Sequence, residues 1–161
     1  MAAIKGIIMG VDPSLRSTGI AVIDTRQTPW RLVESMTIRL PDELSLSAYL
    51  SSIALAVRLT IRRTHPTHVA IESAIWVQNH ATALLMAKIE GACHTTMALM
   101  GYNPATYPPR LIKKEVSGSA AASKSTIASA VAHMLQLEAP LQYDESDAAA
   151  VAICQATYWK D

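Results

Sequence analysis

Two short apolar segments that each end in an acidic residue constrain the fold of this chain more than any other feature. Residues 4–12 are rich in β-branched side chains and end in Asp12, and residues 68–72 are mostly apolar and end in Glu72. Runs of this kind predict buried β-strands. Between them, residues 42–64 place apolar side chains at helical spacing, which predicts an amphipathic helix. A strand, a crossover helix and a second strand indicate that the two strands are parallel.

The other segments predict a mixed α/β sheet covered by helices. Residues 18–25 and 31–40 read as two more strands, and three sequential strands joined by turns favour an antiparallel meander. The further predicted elements are a second long helix, a fifth strand and two final helices, at residues 79–100, 105–107, 123–137 and 144–159. Because no repeat or linker divides the chain, we expect residues 1–161 to form a single domain.

Composition excludes several classes of protein. Apolar residues make up 50% of the chain and charged residues 17%, which is typical of a globular domain. No segment approaches the roughly 20 apolar residues of a membrane span, and no signal peptide precedes the first strand, so we expect an intracellular, cytoplasmic protein. Cys93 and Cys154 are isolated and lack the spacing of a zinc site, which predicts buried core thiols.

Charges are segregated along the second half of the chain. The net charge of +1 does not by itself indicate a nucleic-acid partner. A solvated helix face explains a charge run equally well. However, a basic segment opposed only by Glu115 precedes an acidic one; its cations are Arg110, Lys113, Lys114 and Lys124, and the acids that follow are Glu138, Asp144, Glu145 and Asp147.

Four acidic residues from three segments are candidates for one site. The ends of parallel neighbouring strands would bring Asp12 and Glu72 together, and Asp144 and Asp147 are spaced to share one face of the last helix. Such a cluster repels itself unless a cation is present. All-oxygen ligands suit Mg²⁺ or Mn²⁺, and two such ions can hydrolyse a phosphodiester.

Each acid also has a simpler structural interpretation. Asp12 before Pro13 is typical of a turn, and Glu72 is at a strand end, where a side chain leaves the core. Asp144 and Asp147 fit a helix N-cap followed by an acid that the helix dipole favours. By spacing alone, a shared site and these separate roles are equally supported.

Three acidic motifs resemble those of the RuvC-type Holliday-junction resolvases. The motifs are Met9-Gly10-Val11-Asp12-Pro13-Ser14 with Thr18-Gly19, then Ala70-Ile71-Glu72, then Asp144-Glu145-Ser146-Asp147-Ala148. Their order and separations match the family over nearly the full chain. An Asp-Pro-Ser loop alone would be weak, but three motifs in register are fairly specific.

The resemblance implies an RNase H-like fold, a mixed five-stranded sheet of order 3-2-1-4-5 flanked by helices. It also implies a homodimer that makes paired symmetric nicks in four-way DNA junctions, leaving 5′-phosphate and 3′-hydroxyl ends, with Mg²⁺ or Mn²⁺ and two ions per site. It assigns the metal to Asp12, Glu72, Asp144 and Asp147. The sequence carries no signal for a helicase partner.

The resemblance also indicates residues that would meet DNA. Lys113 and Lys124 correspond to two family lysines that contact phosphates near the scissile bond and stabilise developing charge. The alternative is that they are exposed lysines with no role. Arg110 and Lys114 extend the same DNA-binding segment.

Some relatives insert a Phe after the central Glu into the junction, but this chain has no Phe. Ile75 and Trp76 are the candidates in its place, although a half-buried core position is slightly favoured for Trp76.

The long helix over residues 79–100 is apolar around most of its circumference, with small residues at Ala83, Ala87 and Gly91. One face would cover the sheet. The remaining face would either pair with its symmetry mate in a dimer or be buried in the core.

Three other functions compete with the resolvase. A related RNase H-like nuclease could act on RNA or on other branched DNA, and a junction-binding protein could lack cleavage, although a complete set of four acids argues against that loss. An ATP-binding protein of the actin and sugar-kinase kind opens with similar residues, but its two domains need a longer chain.

Overall fold

The fold follows from a computed structural model that describes residues 3–41, 45–74 and 79–158. Within these ranges it has five strands and five helices. The strands are β1 Ile7–Asp12, β2 Ser17–Asp24, β3 Arg31–Arg39, β4 His68–Glu72 and β5 Ala105–Tyr107. The helices are α1 Leu46–Thr64, α2 His80–Leu99, α3 Pro109–Ser117, α4 Lys124–Met134 and α5 Tyr143–Tyr158. Every predicted element is confirmed, except that the predicted ends at residues 42 and 159 lie outside the described residues.

The strands form a sheet of order β3-β2-β1-β4-β5, which confirms the expected mixed sheet. β1, β2 and β3 are antiparallel neighbours, while β1, β4 and β5 run parallel. Since direction alternates from β1 to β3, the strands β1, β3, β4 and β5 all finish at one end of the sheet, where β2 begins. We call this the carboxyl end of the sheet.

Helix α3 was missing from the sequence prediction. Pro109 is its first residue, where the absent N–H costs nothing, and Gly118 ends it in the left-handed region with φ of 78°. The buried side chains are Ile112 and Val116, one turn apart. In the sequence, Pro108 and Pro109 suggest only the end of a strand. The helix has few apolar residues, and the charged residues among them obscure the helical period.

Helices cover both faces of the sheet. On one face, α5 packs across β1 and β2 and is joined by α3 and α4, and the other face packs against α1 and α2. The nine consecutive residues Ala148–Ala156 of α5 are all buried, and Ser146 is buried as well. This helix is therefore the centre of its layer.

Two glycines allow α5 to lie unusually close to the sheet. A Cβ on Gly10 would collide with the backbone of Ala148 and Ala152, and one on Gly19 would collide with the carbonyl of Asp144. The missing side chains therefore set the distance between the sheet and the first turns of α5.

Cys93 and Cys154 are free and buried, as predicted, and burial raises the pKa of each thiol to about 12. Within residues 3–41, 45–74 and 79–158, no helix has the length and apolar character needed to cross a membrane.

Candidate active site

Asp12 and Glu72 lie side by side at the carboxyl end of the sheet. The parallel register of β1 and β4 pairs Val11 with Ile71, so the residue that follows each of them is the acid. Both acids line one pocket of about 290 Å³. The predicted convergence of these two carboxyl groups is therefore what the strand register produces.

Helix α5 brings a third acid to the same place. It begins at Tyr143, and Asp147 lines the pocket together with Asp12 and Glu72. We call this space the acidic pocket. Asp144 lies one turn earlier, close enough to raise the pKa of Asp12, but it lines a neighbouring pocket instead. The N-cap interpretation of Asp144 is wrong, because it falls inside the first helical turn, where the dipole favours an acid.

Two lysines from different helices complete the acidic pocket. Lys113 comes from α3 and Lys124 is the first residue of α4. The ammonium of Lys124 lies 3.1 Å from Oδ2 of Asp147. The end of α3 and the loop before α4 connect the two lysines. Although they are eleven positions apart in the sequence, both line the acidic pocket.

The acidic pocket disfavours its own negative charge. Burial is the main reason that the pKa of Asp12 is raised well above its usual range, and the charges of Glu72 and Asp147 raise it further. Burial and the charge of Asp147 raise the pKa of Glu72 to about 7, although Lys113 and Lys124 act in the opposite direction. Two lysines therefore compensate the carboxylates only in part.

This charge balance fits a divalent cation. The donors are carboxylate oxygens, which suit hard ions such as Mg²⁺ and Mn²⁺, and a bound cation would relieve the repulsion that raises both pKa values. As placed, no three acidic, histidine or cysteine side chains among the described residues lie close enough to hold one ion in common. Joint coordination would therefore require side-chain movements, such as release of Asp147 from Lys124.

Two hydrogen bonds that sequence analysis missed support the loops that follow the acids. Oε2 of Glu90, in α2, accepts a hydrogen bond from the backbone N–H of Ala74 at 3.2 Å, two residues after Glu72. The hydroxyl of buried Tyr49 donates to the carbonyl of Ser14 at 3.1 Å, two residues after Asp12. Nothing in the local sequence indicates either contact, since both partners lie far away in the chain.

Two further candidate residues lie outside the acidic pocket. Arg110 and Lys114 are exposed on α3 and do not line it. Ile75 and Trp76 fall outside the described residues. Of the ten candidate site residues, five line the pocket: Asp12, Glu72, Asp147, Lys113 and Lys124.

Comparison with known proteins identifies the family. Residues 8–155 match the family model described as crossover junction endodeoxyribonuclease RuvC. The relative from Solidesulfovibrio magneticus is 33% identical over 92% of this chain and 88% of its own length, and that from Bordetella avium is 34% identical over 92% and 82%. Both are named crossover junction endodeoxyribonuclease RuvC.

Solved structures show the same fold. The chain is similar to Thermus thermophilus RuvC in complex with Holliday junction substrate, with a TM-score of 0.86, 24% identity and coverage of 95% of this chain and 94% of that one. A yeast mitochondrial Holliday junction resolvase is similar at a TM-score of 0.66 and 9% identity, over 97% and 80% of the two chains. With this fold, these relatives and a family match across nearly its whole length, the chain belongs to the RuvC family of crossover junction endodeoxyribonucleases.

Proposed function

We propose that this chain is a Holliday-junction resolvase, a single nuclease domain that makes paired symmetric nicks in four-way DNA junctions. The observation that carries the proposal is the acidic pocket, where three separate segments supply carboxylates beside two lysines. Membership of a family of crossover junction endonucleases supports a nuclease, and relatives solved with or named for Holliday junctions support the substrate.

The chemistry proposed for the site is hydrolysis of a phosphodiester with 5′-phosphate and 3′-hydroxyl products. Asp12, Glu72 and Asp147 would hold divalent ions, Mg²⁺ or Mn²⁺ and two per site, with Asp144 contributing from the preceding turn of α5. Bound ions would supply activation of water and stabilisation of the leaving oxygen.

The lysines have the complementary task of holding the DNA phosphate. Lys113 and Lys124 place positive charge in the same pocket as the carboxylates, which would otherwise repel a phosphate. Their ammonium groups are expected to contact nonbridging oxygens and to offset charge that develops as the bond breaks. Arg110 and Lys114, exposed on α3, extend the same positive surface toward the flanking DNA.

The test compares a synthetic four-way junction with a linear duplex of the same sequence, in Mg²⁺ and in EDTA. We expect metal-dependent cutting of the junction only, and loss of cutting in Asp144→Asn and Asp147→Asn. The matched control is Asp24→Asn, at the opposite end of the sheet, where the acid pairs with Arg26. Equal cutting of junction and duplex would contradict the substrate, and cutting that survives both substitutions would contradict the site.

The same reaction separates the competing functions. An RNA or flap substrate cut faster than the junction would indicate a different RNase H-like nuclease. Tight junction binding in EDTA without cutting in Mg²⁺ or Mn²⁺ would indicate a binding protein. The complete acidic pocket favours cleavage over binding alone.

A homodimer is the second part of the proposal, because two symmetric cuts need two sites. Helix α2 is not buried all round: Leu84 is 64% exposed and Leu99 83% exposed. Ala87 and Gly91 are also exposed, and on the adjacent α1 so are Leu55 and Leu59. This apolar surface, which we call the α1/α2 face, is the expected contact with a second copy.

A further inference from the structure

A second pocket lies beside the acidic pocket, and of its lining residues only Lys124 and Asp144 have a part in the chemistry proposed above. Its volume is about 570 Å³. We call it the lateral pocket, and its polar lining residues are Arg39, Lys124, Ser125, Ser129, Gln142, Tyr143 and Asp144. Lys124 lines both pockets, so the two are adjacent and share this lysine as their common wall.

The sheet topology explains why the lateral pocket forms here. Arg39 is the last residue of β3, and its register partner is Ser17, the first residue of β2. Both therefore lie at the carboxyl end of the sheet, the same end as Asp12 and Glu72. A DNA strand that follows this end of the sheet from β4 toward β3 would cross the acidic pocket, pass Lys124 and enter the lateral pocket.

The side chains of the lateral pocket suit a nucleotide. Tyr143 is 52% exposed, which leaves an aromatic ring available to a base, and Ala128, Pro140 and Leu141 add apolar surface. Arg39 donates from Nη2 to Oε1 of Gln142 at 3.2 Å. Across the part of the chain that the structure describes, Arg39 forms no ion pair with a carboxylate, so its remaining N–H groups can meet a phosphate.

We propose that the lateral pocket binds the nucleotide of the cleaved strand that flanks the scissile phosphate. Tyr143 stacks on its base, and Arg39 contacts its phosphate on the far side from Lys124. This assignment rests on the proposed function, since it takes the scissile phosphate to lie in the acidic pocket. A metal ion is the poorer occupant, because Asp144 is the one carboxylate among the lining residues of this pocket.

The first experiment removes bases from the DNA one at a time. Junctions that carry a single abasic nucleotide on either side of the cut are cleaved by the wild type, Tyr143→Ala and Tyr143→Phe. Loss of the stacked base is expected to slow wild-type cleavage by about tenfold at one flanking position. Tyr143→Phe should keep this sensitivity, whereas Tyr143→Ala should cut the intact junction slowly and show no further loss with the abasic one.

The second experiment tests the phosphate contact. Junction binding is measured in Ca²⁺ or EDTA over a range of salt concentrations for wild type, Arg39→Ala and Arg31→Ala. Loss of one phosphate contact should lower the slope of log affinity against log salt by about one. Arg31 is the matched control, because it is exposed on the same strand at the opposite end of the sheet. Its removal should leave the slope unchanged.

The outcomes separate this proposal from the proposed function. A wild type that leaves junctions uncut contradicts the function itself. The proposal for the lateral pocket is contradicted if the wild type cuts junctions and the Tyr143→Ala variant is slowed by each abasic site as much as the wild type is. An Arg39→Ala slope equal to that of the wild type likewise shows that the strand does not pass Arg39.

Discussion

In the acidic pocket, the ionised carboxylates of Asp12 and Glu72 are energetically unfavourable. Each is half-buried at the end of its strand and faces other acids, and burial and charge repulsion both raise its pKa. The two lysines reduce this energetic cost without cancelling it. Protons and divalent cations should therefore compete for the same carboxyl groups.

The metal-free protein is expected to lose stability as pH rises from about 4.5 to about 7, the interval between the ordinary pKa of Glu72 and its raised value. In this interval the folded state binds more protons than the unfolded state, so the free energy of unfolding falls as pH increases. The raised pKa of Asp12 acts in the same direction. The expected effect is on the order of 1 to 3 kcal/mol.

Thermal unfolding in EDTA across this pH range would measure the effect. Glu72→Gln should flatten the dependence and be more stable than the wild type at neutral pH, while exposed Glu138→Gln should change neither. Added Mg²⁺ should raise the unfolding temperature of the wild type far more than that of Glu72→Gln. A wild type whose stability is independent of pH in EDTA would contradict the electrostatic account.

At the scale of the elements, the site depends on how closely α5 approaches the sheet. Gly10 and Gly19 leave room for the helix backbone, and the acids on its first turns follow from that position. Side-chain contacts from β3 hold the same turn, since Oγ of Ser35 donates to Oε2 of Glu145 at 2.6 Å. Activity should therefore be sensitive to residues that touch no DNA.

Gly19→Ala is expected to displace the start of α5, because the added methyl group would meet the carbonyl of Asp144. Cleavage should fall by on the order of 100-fold, since a displacement of about 1 Å suffices for such a loss. The matched control is Gly101→Ala, between α2 and the start of β5, where the added methyl group meets nothing. That variant should retain activity and lose about 1–2 kcal/mol of stability, because its φ of 87° disfavours an L side chain.

Junction cleavage and chemical unfolding of the two variants would check this prediction. If the Gly19→Ala variant is folded and cleaves junctions at the wild-type rate, then α5 can shift without disturbing Asp144 and Asp147.

The hydrogen bond from Ala74 to Glu90 links α2 to the loop after Glu72. Glu90→Ala should leave this loop poorly held, and we expect about a tenfold lower rate and a higher Mg²⁺ concentration for half-maximal cutting. Glu90→Gln keeps an oxygen acceptor and should behave nearly as the wild type. Metal titrations of both variants give the measurement, and an unchanged Mg²⁺ requirement in Glu90→Ala would show that the contact does not position Glu72.

At the scale of the whole molecule, the acidic pocket of one chain would cut one DNA strand of the junction. Two symmetric cuts therefore need two chains. The α1/α2 face lies on the opposite side of the sheet from α5 and exposes leucines from both helices. Apolar surface of this extent is costly in water, and a twofold contact would cover it on both copies at once.

Leu55→Lys and Leu99→Lys are expected to convert a dimer into a folded monomer, because each places a charge in the proposed contact. Light scattering after size exclusion would give the mass. The monomer should nick junctions singly, so that coordinated double cuts in a supercoiled cruciform are lost. His133→Lys is the control, since His133 is exposed on α4, which packs on the opposite face of the sheet from α1 and α2. A wild type that is monomeric on DNA would contradict the proposed dimer.

The complete strand order was implied only by the family resemblance. The sequence by itself determined the antiparallel meander of β1 to β3, the parallel pairing of β1 with β4, the termination of β1 and β4 in Asp12 and Glu72, and the helical spacing of Asp144 and Asp147. These are local properties, because apolar periodicity and chain connectivity decide strand, helix and crossover. Helix α3 was missed for the same reason: its prolines and charges hide the period locally, and only its packing against α4 and α5 reveals the buried side of the helix.

Only the tertiary structure decided which candidates share a pocket. It separated Asp144 from the acidic pocket, paired Lys124 with Asp147, and brought Tyr49, Glu90 and Arg39 to the carboxyl end of the sheet. The physical reason is that burial, charge and hydrogen-bond distance depend on three-dimensional separation, which residues far apart in the chain do not specify by their spacing. The sequence indicates which residue types could form the site, but the geometry of the site depends on how the helices pack on the sheet.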